Sequence, residues 1–133
     1  MQSDRTVADR HRMVGSACLC ELAFVRDDTG NPLSSDQDSP ILLMGDSHTL
    51  VFHAGGDMHA VGAGLFDELS HRLKTRLDLI GVRGSGATPS RVNLLRKNRA
   101  KPGYLVKKKL VIWCLSAREF TESDGWRKVP LGL

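Results

Sequence analysis

A continuous apolar run that ends in Gly-Asp-Ser sets the strongest constraint on the fold. Residues 41–44 read Ile-Leu-Leu-Met after Pro40, a pattern typical of a short strand that is covered on both faces of a parallel sheet. Gly45 ends the run, and a glycine allows the sharp turn that would bring Asp46 and Ser47 to the carboxyl edge of the sheet. The tripeptide alone is also compatible with an ordinary turn in which Asp and Ser bond their own backbone. The strand before it favours Ser47 as a nucleophile.

The rest of the chain alternates between helical and extended patterns. Apolar residues recur every four positions from Val61 to Leu73, which predicts a helix whose polar residues, Asp67 among them, face water. Two further apolar runs predict strands at residues 77–82 and 110–115, both compatible with burial in a sheet.

A second helix is predicted between these two strands. Thr88 is a suitable N-cap and Pro89 a suitable first helical residue, while the Pro102-Gly103 pair ends the helix. The resulting order is strand, helix, strand, helix, strand. This alternation favours an α/β fold with a parallel sheet and right-handed crossovers.

Several segments, in the same order along the chain, resemble one protein family. They are SPILLMGDSH from Ser39, DELSHRL from Asp67, RGSGATPSR from Arg83, KKLVIWCLSAREF from Lys108 and GWRKVPL ending at Leu131. Through them the chain resembles the nucleophile-bearing part of the SGNH hydrolase-like (GDSL-like) domains of the AlgX/AlgJ alginate O-acetyltransferase family. The resemblance implies a three-layer, flavodoxin-like α/β fold with a mostly parallel sheet. Residues 39–133 would form part of that domain. Residues 1–38 would precede it as an N-terminal segment that contains a polar loop. Within this segment, residues 17–25 are a candidate extra strand.

The resemblance also implies an activity. Ser47 would form a covalent acetyl-enzyme and pass the acetyl group to a hydroxyl of an exopolysaccharide, or to water in a plain esterase. Its partners would be an acetyl donor and a polysaccharide acceptor. The protein would work in the periplasm, together with a membrane-associated biosynthesis complex. No cofactor or metal is expected. The alternative is a non-catalytic fragment or module that binds an acidic polysaccharide or a protein partner.

The sequence does not contain a catalytic base at the position that the resemblance implies. A serine needs an adjacent base, usually a histidine held by a carboxylate, and all five histidines precede the predicted second strand. The family carries an Asp-x-His pair far upstream of the serine, whereas the pair Asp9 and His11 lies much closer to Ser47. Either the sequence is a fragment whose upstream part holds the pair, or the activity has been lost. Asp46 and His48 remain as catalytic candidates, although His48 also fits a solvated loop histidine.

Backbone donors for a developing oxyanion are the next requirement of acyl transfer. The N–H groups of Ser47, Gly84 and Gly86 are the candidates, because SGNH hydrolases place a glycine donor after the second strand. A glycine turn without a ligand fits Gly84 and Gly86 equally well.

Two arginines are candidate substrate-binding residues. Arg91 follows the glycine segment, and Arg118 follows the third strand, where the family also carries an arginine. Either guanidinium would suit a polysaccharide carboxylate. Arg118 would equally fit a surface ion pair with Glu119 or Asp124.

The net charge of +4 comes from basic clusters such as Lys107-Lys108-Lys109. Most of these lysines are predicted to be solvated, on a surface that would attract anionic partners. Nucleic acid is not expected among them, because the chain has few aromatic residues for base stacking and no nucleic-acid-binding signature. Residues 1–12 lack the apolar core of a signal peptide, so the periplasmic location rests on the resemblance.

Overall fold

A computed structural model describes residues 7–15, 18–84, 86–122 and 126–131, with side chains from Leu22 onward. The strands are β1 (Val7–Gly15), β2 (Cys18–Arg26), β3 (Ile41–Gly45), β4 (Asp78–Gly81) and β5 (Leu110–Cys114). The helices are α1 (Leu65–Leu73), α2 (Ala87–Ala100) and α3 (Arg118–Thr121), with 3₁₀ turns at Ser47–Thr49, Gly56–Met58 and Leu105–Lys107. The chain forms two compact units, a first unit of Met1–Ser34 with Val51–Arg76 and a second unit of Ser35–Leu50 with Leu77–Leu133.

The second unit is built on a parallel sheet of three strands in the order β4-β3-β5. Gly45 of the central strand β3 pairs with Gly81 of β4 and with Cys114 of β5, so the carboxyl ends of all three strands meet at one edge. Every residue of β3 after Ile41 is buried. The structure thus confirms an α/β fold with a parallel sheet, and it confirms that the first apolar run is a covered strand.

Helix α2 packs against this sheet. One core cluster joins a leucine of the helix to residues of β3 and β4 and to a tyrosine beyond the helix: Leu94, Leu42, Met44, Ile80 and Tyr104. The helix ends at Ala100, as the Pro102-Gly103 pair predicts.

The start of α2 differs from the prediction by two residues. Ala87 is the first helical residue and Gly86 the N-cap, so Thr88 and Pro89 occupy the second and third positions. A proline is tolerated there because the N–H groups of the first turn have no partner within a helix. Thr88 Oγ1 accepts a hydrogen bond from Arg91 instead of capping the helix.

Strand β5 is more exposed than its apolar sequence predicts. Leu110 is 48% and Val111 is 46% exposed, and only the later residues of the strand are partly buried. β5 has a single strand neighbour, β3, in the described sheet, and a strand at an edge keeps part of its surface in solvent. The third apolar run is therefore a strand, but not a fully buried one.

The lysines around the amino ends of the strands bind carboxylates of the same unit. Asp78 is fully buried and accepts hydrogen bonds from Lys97, Lys108 and Tyr104. Lys108, predicted to be solvated, is only 2% exposed in its side chain. Asp38 binds other lysines of these clusters, and those hydrogen bonds lower its pKa to about 2. Part of the basic sequence is therefore used for internal pairing.

The first unit contains an antiparallel hairpin of β1 and β2. β2 confirms the extra strand predicted at residues 17–25. Val25 of β2 is buried, and its N–H donates to the carbonyl of Gly62. Residues 51–76, which the sequence places within the second domain, cluster with this hairpin.

Helix α1 of the first unit buries a face other than the predicted one. Leu65 and Leu73 of α1 are each at least 40% exposed, as is Val61, which precedes the helix, whereas Phe66 and Asp67 are buried. The buried residues Phe66, Asp67 and Ser70 lie on a different side of the helix from Leu65. Asp67 was expected to face water, but it turns inward because its carboxylate caps the helix.

Candidate functional site

Ser47 lies at the carboxyl end of the central strand β3, as the sequence predicts. It begins the 3₁₀ turn Ser47–Thr49, whose N-cap is Asp46. The Asp46 carboxylate is buried and accepts the N–H of His48 at 2.9 Å, while its carbonyl accepts the hydroxyl of Thr49 at 2.7 Å. These bonds fix the backbone on both sides of Ser47. The Ser47 side chain is partly exposed, and its N–H is the first of the turn, where a helix leaves its N–H groups without an internal partner.

Two paired glycines make room for this turn. A Cβ on Gly45 would lie 2.4 Å from the carbonyl oxygen of Cys114 and 2.6 Å from the Thr49 methyl group. A Cβ on Gly81 would lie 2.3 Å from a methyl group of Leu50. Gly45 is not among the residues with positive φ. The glycine is therefore required for close packing of the turn on the strand ends, and not for the sharp backbone bend that the sequence suggests.

We expect Gly45→Ala to destabilise the protein by about 2–4 kcal/mol, because the added methyl group meets a backbone oxygen that cannot move away without breaking the sheet. Urea denaturation would measure the loss. Gly103→Ala is the control, since Gly103 has a φ of +76° and open space around it, so this variant isolates the conformational cost of about 1 kcal/mol. A loss at Gly45 no larger than the control would contradict the packing role.

A pocket of about 220 Å³ opens beside Ser47 within the second unit. Its lining comes from the turn after β3, from the segment after β5 and from α3: Asp46, Ser47, His48, Ser116, Arg118, Glu119 and Glu122. The pocket thus contains the three predicted catalytic residues and one of the two predicted substrate-binding arginines.

His48 is held by the carboxylate that also holds the turn. Its Nδ1 lies 2.9 Å from Asp46 Oδ1, and the imidazole is 62% exposed. This contact leaves Nε2 as the ring nitrogen available for proton transfer. Among the described side chains, no hydrogen bond joins Ser47 Oγ to the imidazole. Asp46 and His48 therefore form an oriented pair next to the serine, without a preformed bond to it.

Cys114, at the end of β5, is a second nucleophilic side chain near this edge. Burial, with a smaller contribution from the Asp46 carboxylate, raises the pKa of its thiol. Because the thiolate is the reactive form of cysteine, the raised pKa disfavours Cys114 as the nucleophile. The partly exposed hydroxyl of Ser47 is the better placed nucleophile.

The predicted oxyanion glycines lie in the loop between β4 and α2. Gly84 and Gly86 have φ values of +95° and +116°, a conformation that favours glycine. Neither is among the pocket-lining residues, but a Cβ on Gly86 would lie 3.7 Å from Oε1 of Glu119, which does line it. Gly86 therefore borders the site, whereas no contact among the described residues connects Gly84 to it.

The two predicted arginines differ in their placement. Arg118 is exposed, lines the pocket and forms no ion pair with Glu119 in the described part of the chain, and Asp124 lies outside the described residues. Arg91 is not in the pocket lining. Its guanidinium bonds the Ala87 carbonyl and lies 5.4 Å from the ring centre of Trp126. Arg91 is thus engaged in packing α2.

Ser116, Glu119 and Glu122 line the pocket but were not singled out from the sequence as site residues. They follow the third strand, and in a parallel sheet the segment after each strand reaches the same edge as Ser47. The position of these three residues after a strand was therefore the sequence signal that could have placed them at the site.

A second contact between a histidine and an aspartate occurs in the first unit. His53 Nδ1 lies 3.0 and 3.1 Å from the two carboxylate oxygens of Asp67, which also accepts the N–H of Gly64 at the start of α1. This pair is separated by fourteen positions in sequence, so no Asp-x-His pattern reveals it. The side chains of Asp9 and His11 lie outside the described residues.

Neither a metal site nor a membrane span is found in the described residues. They contain no group of three or more His, Cys, Asp or Glu side chains suited to a metal ion. No described helix has the length and apolar character needed to cross a membrane. Comparison of the chain with models of known protein families, with curated proteins and with solved structures gives no match.

Proposed function

We propose that this chain catalyses serine-dependent acyl transfer through an acetyl-Ser47 intermediate. The observation that carries the proposal is the shared pocket of Ser47 and His48, whose imidazole is oriented by the buried Asp46. The parallel sheet and the resemblance to the AlgX/AlgJ family support a three-layer, flavodoxin-like SGNH domain as the fold. By the same resemblance, the acceptor is a polysaccharide hydroxyl in the periplasm, beside a membrane-associated biosynthesis complex.

The proposed reaction uses these groups in the following order. Ser47 Oγ attacks the acetyl carbonyl carbon of an ester donor while its proton passes to Nε2 of His48. Asp46, at Nδ1, stabilises the imidazolium that forms. The tetrahedral oxyanion then collapses, the bond from carbon to the donor oxygen breaks, and the donor alcohol leaves with the proton from His48. A sugar hydroxyl, or water in the esterase case, attacks acetyl-Ser47 in the reverse sequence and restores the serine.

The charges that line the pocket favour some acceptor groups over others. Asp46, Glu119 and Glu122 bring three carboxylates to the lining, against the single guanidinium of Arg118. Like charges repel, so this lining favours a neutral sugar hydroxyl at the reacting position over a uronate carboxylate. For the same reason the alternative function, non-catalytic binding of an acidic polysaccharide in this pocket, receives little support from the geometry.

Release of acetate or of a chromogenic alcohol from an activated acetyl ester tests the proposal. We expect turnover by the wild-type chain, and acetylation of a neutral oligosaccharide when it is present in excess. Mass spectrometry of the oligosaccharide separates transferase from esterase. No turnover above the background by a folded sample would contradict the proposal and leave the non-catalytic alternative.

We expect His48→Ala to lower the rate of acylation about 10²–10³-fold, because removing a positioned base costs that much in general base catalysis. His59→Asn is the control, since His59 is an exposed histidine of the first unit whose positive φ an asparagine tolerates. The rates would be measured with the chromogenic ester. Equal rates for the wild type and His48→Ala would exclude His48 as the base.

A further inference from the structure

Glu119 of α3 links the pocket to the first turn of α2. Its Oε2 accepts a hydrogen bond from the N–H of Ala87 at 2.7 Å. A Cβ on Gly86 would lie 3.7 Å from its Oε1. The same side chain lines the pocket together with Ser47 and His48. One carboxylate therefore contacts the start of α2 and borders the nucleophile's pocket.

Helix α2 has no cap within its own sequence. Its N-cap is Gly86, which has no side chain to accept a hydrogen bond. The first N–H groups of a helix need acceptors from elsewhere, and the partial positive charge at this end is stabilised by a carboxylate. Glu119 supplies both, from a position 32 residues away from Ala87 in sequence. Its carboxylate thus caps the N-terminus of α2 from another helix.

The backbone of Glu119 is itself held in place. Its carbonyl accepts the indole N–H of Trp126 at 3.2 Å. Trp126 packs on Trp113 of β5, with ring centres 5.4 Å apart, and the guanidinium of Arg91 of α2 lies over Trp126. These contacts tie the position of the Glu119 carboxylate to both β5 and α2.

We infer that Glu119 is a positioning residue of the Ser47 pocket. By capping α2, it holds the backbone of Gly86 and Ala87 at the border of the pocket. In the proposed reaction, the N–H of Gly86 is the oxyanion donor that this cap positions. This inference rests on the proposed acyl transfer. Because the oxyanion exists only during the reaction, a displaced donor lowers kcat while substrate binding, and hence KM, changes little.

Two variants separate positioning from charge. Glu119→Ala removes both the acceptor and the charge, and we expect kcat for acylation to fall about 10- to 100-fold with KM nearly constant. Glu119→Gln keeps an oxygen that can accept the Ala87 N–H, so it should retain most of the rate. A loss in Glu119→Gln as large as in Glu119→Ala would show that the negative charge acts directly, and it would overturn the positioning role.

Amide hydrogen exchange tests the cap without any catalytic readout. We expect the Ala87 amide to be protected in the wild type and in Glu119→Gln, and to exchange faster in Glu119→Ala. Glu122→Ala is the control for this measurement, because it changes a carboxylate of the same pocket that makes no hydrogen bond to α2 among the described residues. An Ala87 exchange rate that Glu119→Ala leaves unchanged would overturn the inference. Faster exchange combined with an inactive wild type would instead count against the proposed acyl transfer.

A purely structural role for Glu119 is distinguished by thermal unfolding. All rates are measured at a temperature at which circular dichroism shows each variant to be folded. A Glu119→Ala protein with a lower Tm but an unchanged kcat would overturn the positioning role.

Discussion

Asp78→Ala is expected to lower the free energy of unfolding by about 3–5 kcal/mol, which is the usual cost of removing one partner from a buried charge cluster. The carboxylate is fully buried at the start of β4. It accepts hydrogen bonds from Lys97 at 2.9 Å and from Lys108, also at 2.9 Å, as well as from Tyr104. Its loss would leave the almost completely buried Lys108 ammonium group without its carboxylate. Urea denaturation at neutral pH would measure the effect.

The pH dependence of this contribution has a definite sign. Burial alone would raise the pKa of Asp78, but the hydrogen bonds from Tyr104 and the lysines outweigh it and lower the pKa below its ordinary value of 3.8. A lowered carboxyl pKa means that the stability contribution is complete above the unfolded-state pKa and is lost as the pH falls through the folded-state value. The difference in stability between wild type and Asp78→Ala should therefore shrink below about pH 4.

Asp38→Ala is the matched control for Asp78. Asp38 also binds two lysines, Lys101 and Lys107, but its side chain is 59% exposed. Exposed ion pairs contribute little because water and salt screen them, so we expect a far smaller loss of stability. If Asp78→Ala and Asp38→Ala lost equal amounts of unfolding free energy, burial of Asp78 would not be the reason for its contribution. The lysines bound to Asp78 would then act like the exposed ones bound to Asp38.

Ser47→Ala is expected to lower kcat/KM for an activated acetyl ester about 10⁴-fold or more, because removing the nucleophile of a triad leaves only the catalysis of the remaining groups. Ser34→Ala, at an exposed serine of the first unit, is the control and should retain the wild-type rate. Both variants should keep the stability of the wild type, since Ser47 lies at the surface of its pocket. A Ser47→Ala variant with wild-type turnover would require a different nucleophile.

Local patterns predicted strands β2 to β5, the parallel pairing of β3, β4 and β5, and the position of Ser47, but not strand β1. The run at residues 41–44 is uniformly apolar, which is typical of a covered strand, and Gly-Asp-Ser after it placed the serine at the strand end. The reason why position 45 requires a glycine could not be predicted. It depends on the distance to the carbonyl of Cys114, a residue of a different strand.

Contacts between distant residues account for the predictions that failed or were missed. Lys108 belongs to a lysine run that reads as solvated, yet it is buried because Asp78 and the carbonyls of Gln37 and Ser39 surround its ammonium group. Asp67 has the sequence context of a surface position, but it caps α1 and binds His53. Asp78 and His53, the charged and ring partners of these two residues, lie too far along the chain for a sequence pattern to reveal them, whereas the cap of Asp67 on Gly64 spans only three positions.

At the site, too, local sequence predicted the residues that are close in sequence but not the contacts between separate elements. Ser47, Asp46 and His48 are consecutive, so their proximity follows from the sequence itself, and the segment after β5 supplies Arg118 to the pocket as predicted. Arg91 was expected at the site because it follows the glycine segment, but one turn of helix directs it to Trp113 and Trp126. The link from Glu119 to Ala87 required the structure, because two different helices form it.

Labelling with a fluorophosphonate tests most directly whether Ser47 is an activated nucleophile. The wild type and Ser47→Ala would be incubated with the reagent, and intact-mass spectrometry with peptide mapping would locate the adduct. We expect one adduct on the wild type, on the peptide that contains Ser47, and none on the variant. A folded wild-type sample without an adduct, or with one on another residue, would contradict the assignment of Ser47 as the nucleophile.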